Sequence, residues 1–339
     1  MQSHFDFDAE RLAQYLESQV VDFKGPLTAE KFPGGQSNPT FKITTASADY
    51  VLRRKPPGEL LKSAHAVDRE FRVLSALADT DVPVAQVYHL CDDDSIIGSM
   101  FYLMEYKQGR VFWDPALPGI SNLDRGDIFD QMNRVLVALH SVDIDAVGLQ
   151  DYGRPGNYFA RQIGRWTKQY QASESETIAD MDRLIEWLPA NTPEDDGKLV
   201  LAHGDFRLDN MMFHGTESEA IALLDWELST LGHPYADLAY QCMQLRLDNN
   251  CVLAGLGGID RQELGIPSEQ DYVALYCLRM GLEAIPNWNF YVVFSMFRFA
   301  AILEGVGQRA LGGNASSDKA LEMRALVKPL AKMAVDIIG

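Results

Sequence analysis

The sequence predicts an α+β protein of two lobes, a β-rich N-terminal lobe over residues 1–106 and a mainly helical C-terminal lobe over residues 107–339. Three observations carry this reading. The 339-residue length suits two lobes, each able to bury its own core. Before Gly109, apolar residues alternate or run in blocks of strand length; beyond it they recur at helical spacing, apart from one strand-rich island at residues 199–227. Composition is that of a folded globular chain, with 47% hydrophobic and 23% charged residues.

The elements follow in order. Residues 40–44 (TFKIT) alternate, and Tyr50-Val51-Leu52 is a short apolar block. Residues 84–90 follow Pro83, and residues 99–106 (SMFYLMEY) form a nearly continuous apolar run, as in a strand buried on both faces. Between these strands Val67, Phe71, Leu74 and Ala78 fall on one helical stripe, with Ser63 as its N-cap. Glu70 lies on the same stripe. A carboxylate on a core-facing stripe needs a partner, because burying it unpaired is expensive. Past Gly109, Ile128, Met132, Val135, Leu136 and Leu139 mark an amphipathic helix, and the last hundred residues add several more. The most apolar stretch, residues 290–303, is shorter than the ~20 residues of a membrane span and contains Arg298, so it reads as a buried helix. The N-terminus lacks a basic segment followed by an apolar one, so no secretory leader is expected.

Lys and Arg total 30 against 48 Asp and Glu, a formal charge of −18. Such a chain repels a phosphate backbone, which excludes nucleic acid as the main partner, and no membrane partner is expected. Cys91, Cys242, Cys251 and Cys277 are scattered without a CxxC pair. They read as reduced thiols of a cytoplasmic protein rather than a disulfide framework or a zinc site.

The island reads LVLAHGDFRLDNMMFHGTESEAIALLDWE. Its apolar start is strand-like, residues 203–210 are loop-like, and two apolar runs at 211–213 and 220–224 flank a polar turn. If those runs pair as a hairpin, Asn210 and Asp225 lie at its open end, with Asp205 five residues before Asn210. Two carboxylates and an amide then converge. Such oxygen ligands suit Mg²⁺, which leaves its other positions to phosphates and water. A third group is free to accept a proton, the division of labour that phosphoryl transfer requires.

His203-Gly204-Asp205 through Asn210, with Leu224-Asp225-Trp226-Glu227, resembles the HGDxxxxN and (I/L)DW(E) motifs of the aminoglycoside phosphotransferase and choline kinase family. The resemblance implies a protein-kinase-like fold and an ATP- and Mg²⁺-dependent kinase acting on a small-molecule hydroxyl. Other landmarks follow in order. Gly34-Gly35-Gln36-Ser37-Asn38 resembles the phosphate-covering turn, and Tyr50-Val51-Leu52-Arg53 the strand bearing the phosphate-binding cation, with Glu70 as its ion-pair partner. Residues 101–106 resemble the hinge, whose backbone around Glu105 and Tyr106 would meet adenine. The segment from Gly232-His233-Pro234 to Asp237-Leu238-Ala239 resembles the GxPxxDLA motif.

Carried over by position, Asp205 is the catalytic base, Asn210 and Asp225 are metal ligands, His203 props the loop, and Asp237 braces its backbone. Arg207 and Asp209 either contact acceptor or phosphate or are solvated loop charges. The strand cation is Arg53 where antibiotic kinases carry Lys, and Arg54 and Lys55 follow it. Alternation puts Arg53 on the face of Val51, opposite Tyr50, Leu52 and Arg54. GGQSNPTF, the segment from Val51 to Leu74, and HGDFRLDN together are similar to the kinase-like domain of some acyl-CoA dehydrogenases. That similarity implies a hydroxyacyl-CoA acceptor, with Arg279, Arg298 and Arg309 as sources of positive charge. The alternatives are an aminoglycoside or amino-alcohol kinase, a catalytically silent ATP-binding module, and a metal hydrolase using His203, Asp205 and Asp225.

Overall fold

Alternation along one strand decides what each face of the N-terminal sheet does. The computed structural model describes residues 7–32, 38–56, 66–311 and 318–339. After helix α1 (Ala9–Gln19), strands β1 (Thr28–Lys31), β2 (Thr40–Thr44), β3 (Asp49–Arg54), β4 (Val87–Cys91) and β5 (Phe101–Glu105) form an antiparallel sheet in the order β1-β2-β3-β5-β4. Tyr50 and Leu52 of β3 share one face with Phe41, Ile43, Phe101 and Leu103, packed beneath Leu12 and Leu16 of α1. Arg54 lies on this face too; it is buried, donates to the Ile97 carbonyl at 3.0 Å and stacks on Phe41. Among the three consecutive cations this puts Arg54 on the face opposite Arg53. The opposite face carries Val51 and Arg53, with Tyr102 directly across from Arg53 on β5.

That second face meets helix α2 (Val67–Leu77), which buries Val67, Glu70, Val73, Leu74 and Leu77. The helix starts with Ala66 in the N-cap position and no side-chain cap; Ser63 lies outside the described residues. Two N-terminal elements, α1 and β1, were not anticipated. Asp8 caps α1 by accepting from the Glu10 and Arg11 amides, and Leu12 and Leu16 stand one turn apart on its buried face.

A short helix α3 (Asp94–Ile97) precedes β5. Beyond it, β6 (Arg110–Val111) pairs with β8 (Met211–Phe213), which pairs with β9 (Ala220–Leu223); β7 (Val200–Ala202) pairs with β10 (Thr230–Gly232). The remaining chain is helical: α4 (Asn122–His140), α5 (Tyr158–Ser173), α6 (Ala179–Ala190), α7 (Pro234–Arg246), α8 (Glu269–Met280), α9 (Trp288–Leu311), α10 (Asp318–Arg324) and α11 (Val327–Ile338). The expected apolar helix is α9, longer than its most apolar stretch at 24 residues. By length and hydropathy it is able to cross a bilayer, yet 89% of its apolar window is buried against the rest of the chain. It is the post against which α5, α7 and α11 pack.

Phe294 is fully buried in α9 and meets Phe159 of α5 edge to face at 5.1 Å. Phe294→Ala should remove about 3–5 kcal/mol of stability through lost burial and an unfilled cavity, read as a lower urea midpoint at unchanged slope.

Candidate active site

Strand β7 ends at Ala202 and delivers His203, Gly204 and Asp205 into a loop whose backbone is fixed from below. Asp237 sits in the first turn of α7, fully buried. Its Oδ2 accepts the His203 amide at 2.6 Å and its Oδ1 the Gly204 amide at 2.9 Å. Gly204 has φ +83°, and a Cβ there would stand 2.5 Å from the Leu228 carbonyl oxygen, so only glycine makes this turn. The fully buried His203 donates from Nε2 to the Leu224 carbonyl at 2.8 Å and accepts the Asp205 amide on Nδ1 at 3.2 Å. Those partners set the tautomer and occupy both ring nitrogens, leaving none for a metal. His203 therefore ties the loop to the residue just before Asp225, and the hydrolase reading loses its histidine.

Both oxygens of Asp205 are engaged. Asn210 Nδ2 donates to Oδ2 at 2.8 Å and to the Asp205 carbonyl at 2.9 Å, while Arg207 Nε stands 3.2 Å from Oδ1. Burial pushes this carboxyl up, but Arg207, the Tyr240 hydroxyl, His203 and Asn210 together outweigh it and hold it below the usual Asp value. Arg207 Nη2 also lies 3.1 Å from Asp209 Oδ2, where burial prevails and raises the carboxyl. Arg207 and Asp209 are thus a buried charge cluster, with side chains only 14% and 10% exposed, rather than solvated loop charges.

The hairpin of β8 and β9 brings the next pair together. Leu224 N–H donates to the Asn210 carbonyl at 2.7 Å, closing the open end where Asn210 and Asp225 stand. Asn210 spends its Nδ2 on Asp205, and its Oδ1 receives no hydrogen bond among the described residues. Asp225 adopts φ +60° and keeps its side chain 38% exposed. An amide oxygen and a partly open carboxylate fit a hard divalent cation.

The upper wall converges on the same carboxylate. Arg53 places Nη2 2.9 Å from Asp225 Oδ1 and Nε 2.8 Å from Glu70 Oε2. Glu70 also accepts from Asn38 Nδ2 at 2.8 Å and from the Tyr102 hydroxyl at 3.1 Å. Burial raises its carboxyl despite Arg53. Asn38, expected at the phosphate turn, is fully buried and serves Glu70 instead; Ser37 lies outside the described residues. The helix bearing Glu70 is fastened as well. Arg69 stacks on Tyr152 at 4.1 Å and donates to its carbonyl at 2.8 Å, and the Tyr152 hydroxyl bonds Ser229 Oγ at 2.8 Å, just past Asp225.

At the hinge, Glu105 N–H is already given to the Gln86 carbonyl at 2.8 Å, so it is not available to a base. Tyr106 N–H and C=O have no hydrogen-bond partner among the described residues. Two arginines expected to supply an acceptor patch are used elsewhere. Arg279 pairs with Asp130 at 2.5 Å, and Arg298 is buried with Nη2 2.6 Å from the Gly204 carbonyl. Arg309 is exposed. His140, the last residue of α4, places Nε2 3.5 Å from Asp237 Oδ2; it, Tyr102 and Tyr152 carry no signal in the sequence, whereas Tyr240, three residues after Asp237 on α7, does.

The sequence profile of the phosphotransferase enzyme family matches residues 28–261, which contain every one of these side chains except Arg279, Arg298 and Arg309. The chain belongs to that family. This phosphotransferase is 50% identical over 327 residues to mouse acyl-CoA dehydrogenase family member 10, covering 96% of the chain and 30% of the mouse protein. Against human acyl-CoA dehydrogenase family member 11 it is 41% identical, covering 98% of the chain and 43% of the human protein. The chain therefore spans less than half the length of these relatives. Among solved structures, a Ralstonia eutropha protein classed with the aminoglycoside phosphotransferases superposes with TM-score 0.90 at 50% identity, covering 98% of both chains. A spectinomycin phosphotransferase in complex with ADP and spectinomycin shares the fold at TM-score 0.64 and 14% identity, covering 98% of this chain and 99% of that one. The fold is that of the antibiotic phosphotransferases.

Asp237 gives two predictions. Burial pushes its carboxyl up, but His140, His203 and the Gly204 amide more than offset this, holding it below the ordinary value of 3.8. A depressed folded value means the stabilisation is present above pH ~4 and is lost as pH falls through the folded value. Asp237→Asn replaces an acceptor by an NH₂ group facing an amide N–H. It should cost about 1–3 kcal/mol at neutral pH and flatten the acid limb of stability, measured by urea unfolding between pH 3 and 7.

Proposed function

We propose that this phosphotransferase moves the γ-phosphoryl group of ATP, with Mg²⁺, onto a hydroxyl of a hydroxyacyl-CoA. The observation that carries the transfer chemistry is the convergence of Arg53, Glu70, Asp205, Asn210 and Asp225 from four separate segments onto one cleft. AMP-PNP and ADP are bound in the ternary complexes of an aminoglycoside phosphotransferase that shares this fold, which supports ATP as donor. Asn210 and Asp225 would hold Mg²⁺, whose contribution is to neutralise charge on the phosphates. Arg53 grips phosphate oxygens, and Glu70 fixes the direction of its guanidinium. Tyr106 offers its free backbone groups to the base.

Asp205 accepts a hydrogen bond from the acceptor hydroxyl and aims its oxygen at the γ-phosphorus. As that P–O bond forms, the bond to the β-phosphate oxygen breaks, ADP leaves, and the hydroxyl proton passes to Asp205 and then to water. Because Arg207 and its neighbours keep Asp205 a weak base, it orients first and takes the proton late. A loose phosphoryl-transfer transition state asks no more of it. The acyl-CoA acceptor is supported by 50% identity to an acyl-CoA dehydrogenase family member. Four free cysteines fit a reducing, cytoplasmic setting. An aminoglycoside acceptor draws support from the Ralstonia protein and from the −18 charge, which attracts polyamines.

The test is transfer from labelled ATP to hydroxyacyl-CoAs, amino alcohols and aminoglycosides in parallel. Label on kanamycin-like amines with hydroxyacyl-CoAs untouched would replace the acceptor assignment, and no transfer to any hydroxyl would remove the kinase reading. Asp205→Asn should lower turnover by about 10²–10⁴-fold with Mg·ATP affinity nearly unchanged. Asp225→Ala should instead weaken Mg·ATP binding itself, as seen by titration calorimetry.

A further inference from the structure

Arg298 sits in the middle of α9, 4% exposed, in one of the most apolar stretches of the chain. Among the described residues no carboxylate lies within ion-pair distance of it, and its Nε has no hydrogen-bond partner. A buried cation without a carboxylate is costly, and packing α9 against its neighbours does not require one. What the guanidinium does touch is specific. Nη2 donates to the Gly204 carbonyl at 2.6 Å, and the flat group lies between the rings of Trp166 on α5, at 5.6 Å, and Tyr240 on α7, at 5.2 Å.

Gly204 is the residue immediately before Asp205. Its amide is held by Asp237 and its carbonyl by Arg298, so a negative and a positive side chain grip the two ends of one residue's backbone. Tyr240 then closes the arrangement, since its ring takes the Arg298 guanidinium at 5.2 Å and its hydroxyl faces the Asp205 carboxylate closely enough to help hold it below its ordinary value. Backbone and side chain of the same aspartate are thereby referred to one buried arginine.

We propose that Arg298 and Tyr240 are a positioning pair, holding Asp205 at the angle that transfer needs and linking its position to α5 and α9. Neither is a catalytic residue, since neither need touch the nucleotide or the acceptor. The proposal rests on Asp205 as the group that orients the acceptor, and the experiment separates the two.

Mg·ATP turnover with water as acceptor is measured for the full chain and for Tyr240→Phe, Arg298→Lys, the double variant and Asp205→Asn. Hydrogen exchange is followed at residues 203–210, and AMP-PNP affinity is measured throughout. Tyr240→Phe, which removes one hydroxyl and keeps the ring, should lower kcat about 10-fold with the KM for ATP and the melting temperature essentially unchanged. Arg298→Lys should lower kcat by about 10–100-fold, speed exchange at Gly204 and Asp205, and leave AMP-PNP affinity within about twofold. The double variant should lose less than the product of the single effects, because both act through one group. Tyr240→Phe and Arg298→Lys retaining wild-type kcat while Asp205→Asn is inactive would overturn the pair. A fall in melting temperature alone, with kcat per folded molecule and exchange at 203–210 intact, would do the same by making Arg298 merely structural. An active Asp205→Asn would instead remove the catalytic reading on which the pair depends.

Discussion

Arg53 is a charge taken almost out of water, with its side chain 13% exposed, and most of the cleft follows from the need to satisfy it. A guanidinium in that position requires carboxylates on more than one of its edges. Glu70 supplies one from α2 and Asp225 a second from the far side of the cleft. Glu70 is buried in turn and needs donors of its own, which Asn38 provides from just before β2 and Tyr102 from β5. One cation on β3 thus dictates a polar network through β5, α2 and the turn after β9. A lysine, with a single point of charge, would not span Glu70 and Asp225 through separate nitrogens.

The lower half of the site is organised by a different means. There the side chains act on the backbone: Asp237 on two amides, Arg298 on a carbonyl, His203 on the Leu224 carbonyl. Glycine at position 204 permits the left-handed turn, but it also gives that turn the most freedom to lose, so outside groups must hold it. Fixing the main chain on both sides of Asp205 lets its carboxylate be aimed without a covalent constraint. Arg207 and Asn210 then share its two oxygens, leaving it well oriented and weakly basic.

Legibility in the sequence followed the range of the contacts. Asp205, Asn210 and Asp225 stood out because a loop and a hairpin bring them together within twenty-one residues of chain, and hairpin geometry is local. Glu70 was legible because a carboxylate on an apolar stripe is a local contradiction whose resolution had to lie across the cleft. Arg298 presented the same contradiction, yet its partner is a backbone carbonyl 94 residues away, which no side-chain pattern marks. Tyr102 looked like one more apolar residue in a buried strand, and its hydroxyl mattered only once β3 and β5 were in register. For Asn38 the motif located the residue, but burial turned it toward Glu70.

The −18 charge and the site's own charges say different things about ligands. At physiological salt, exposed charges are screened beyond about 8 Å, so the surplus carboxylates on the surface act weakly within the cleft. Inside, Arg53, Arg207 and Arg298 stand against Glu70, Asp205, Asp209, Asp225 and Asp237, a local balance still tilted toward negative. A polyphosphate cannot enter such a site on Arg53 alone while Asp225 holds that arginine. On the proposed reading, binding would exchange partners: the phosphates would draw Arg53 away, and Asp225 would need another cation in its place. A hard divalent ion carried in with the nucleotide would answer both demands at once, and Glu70 would keep Arg53 directed at the phosphates.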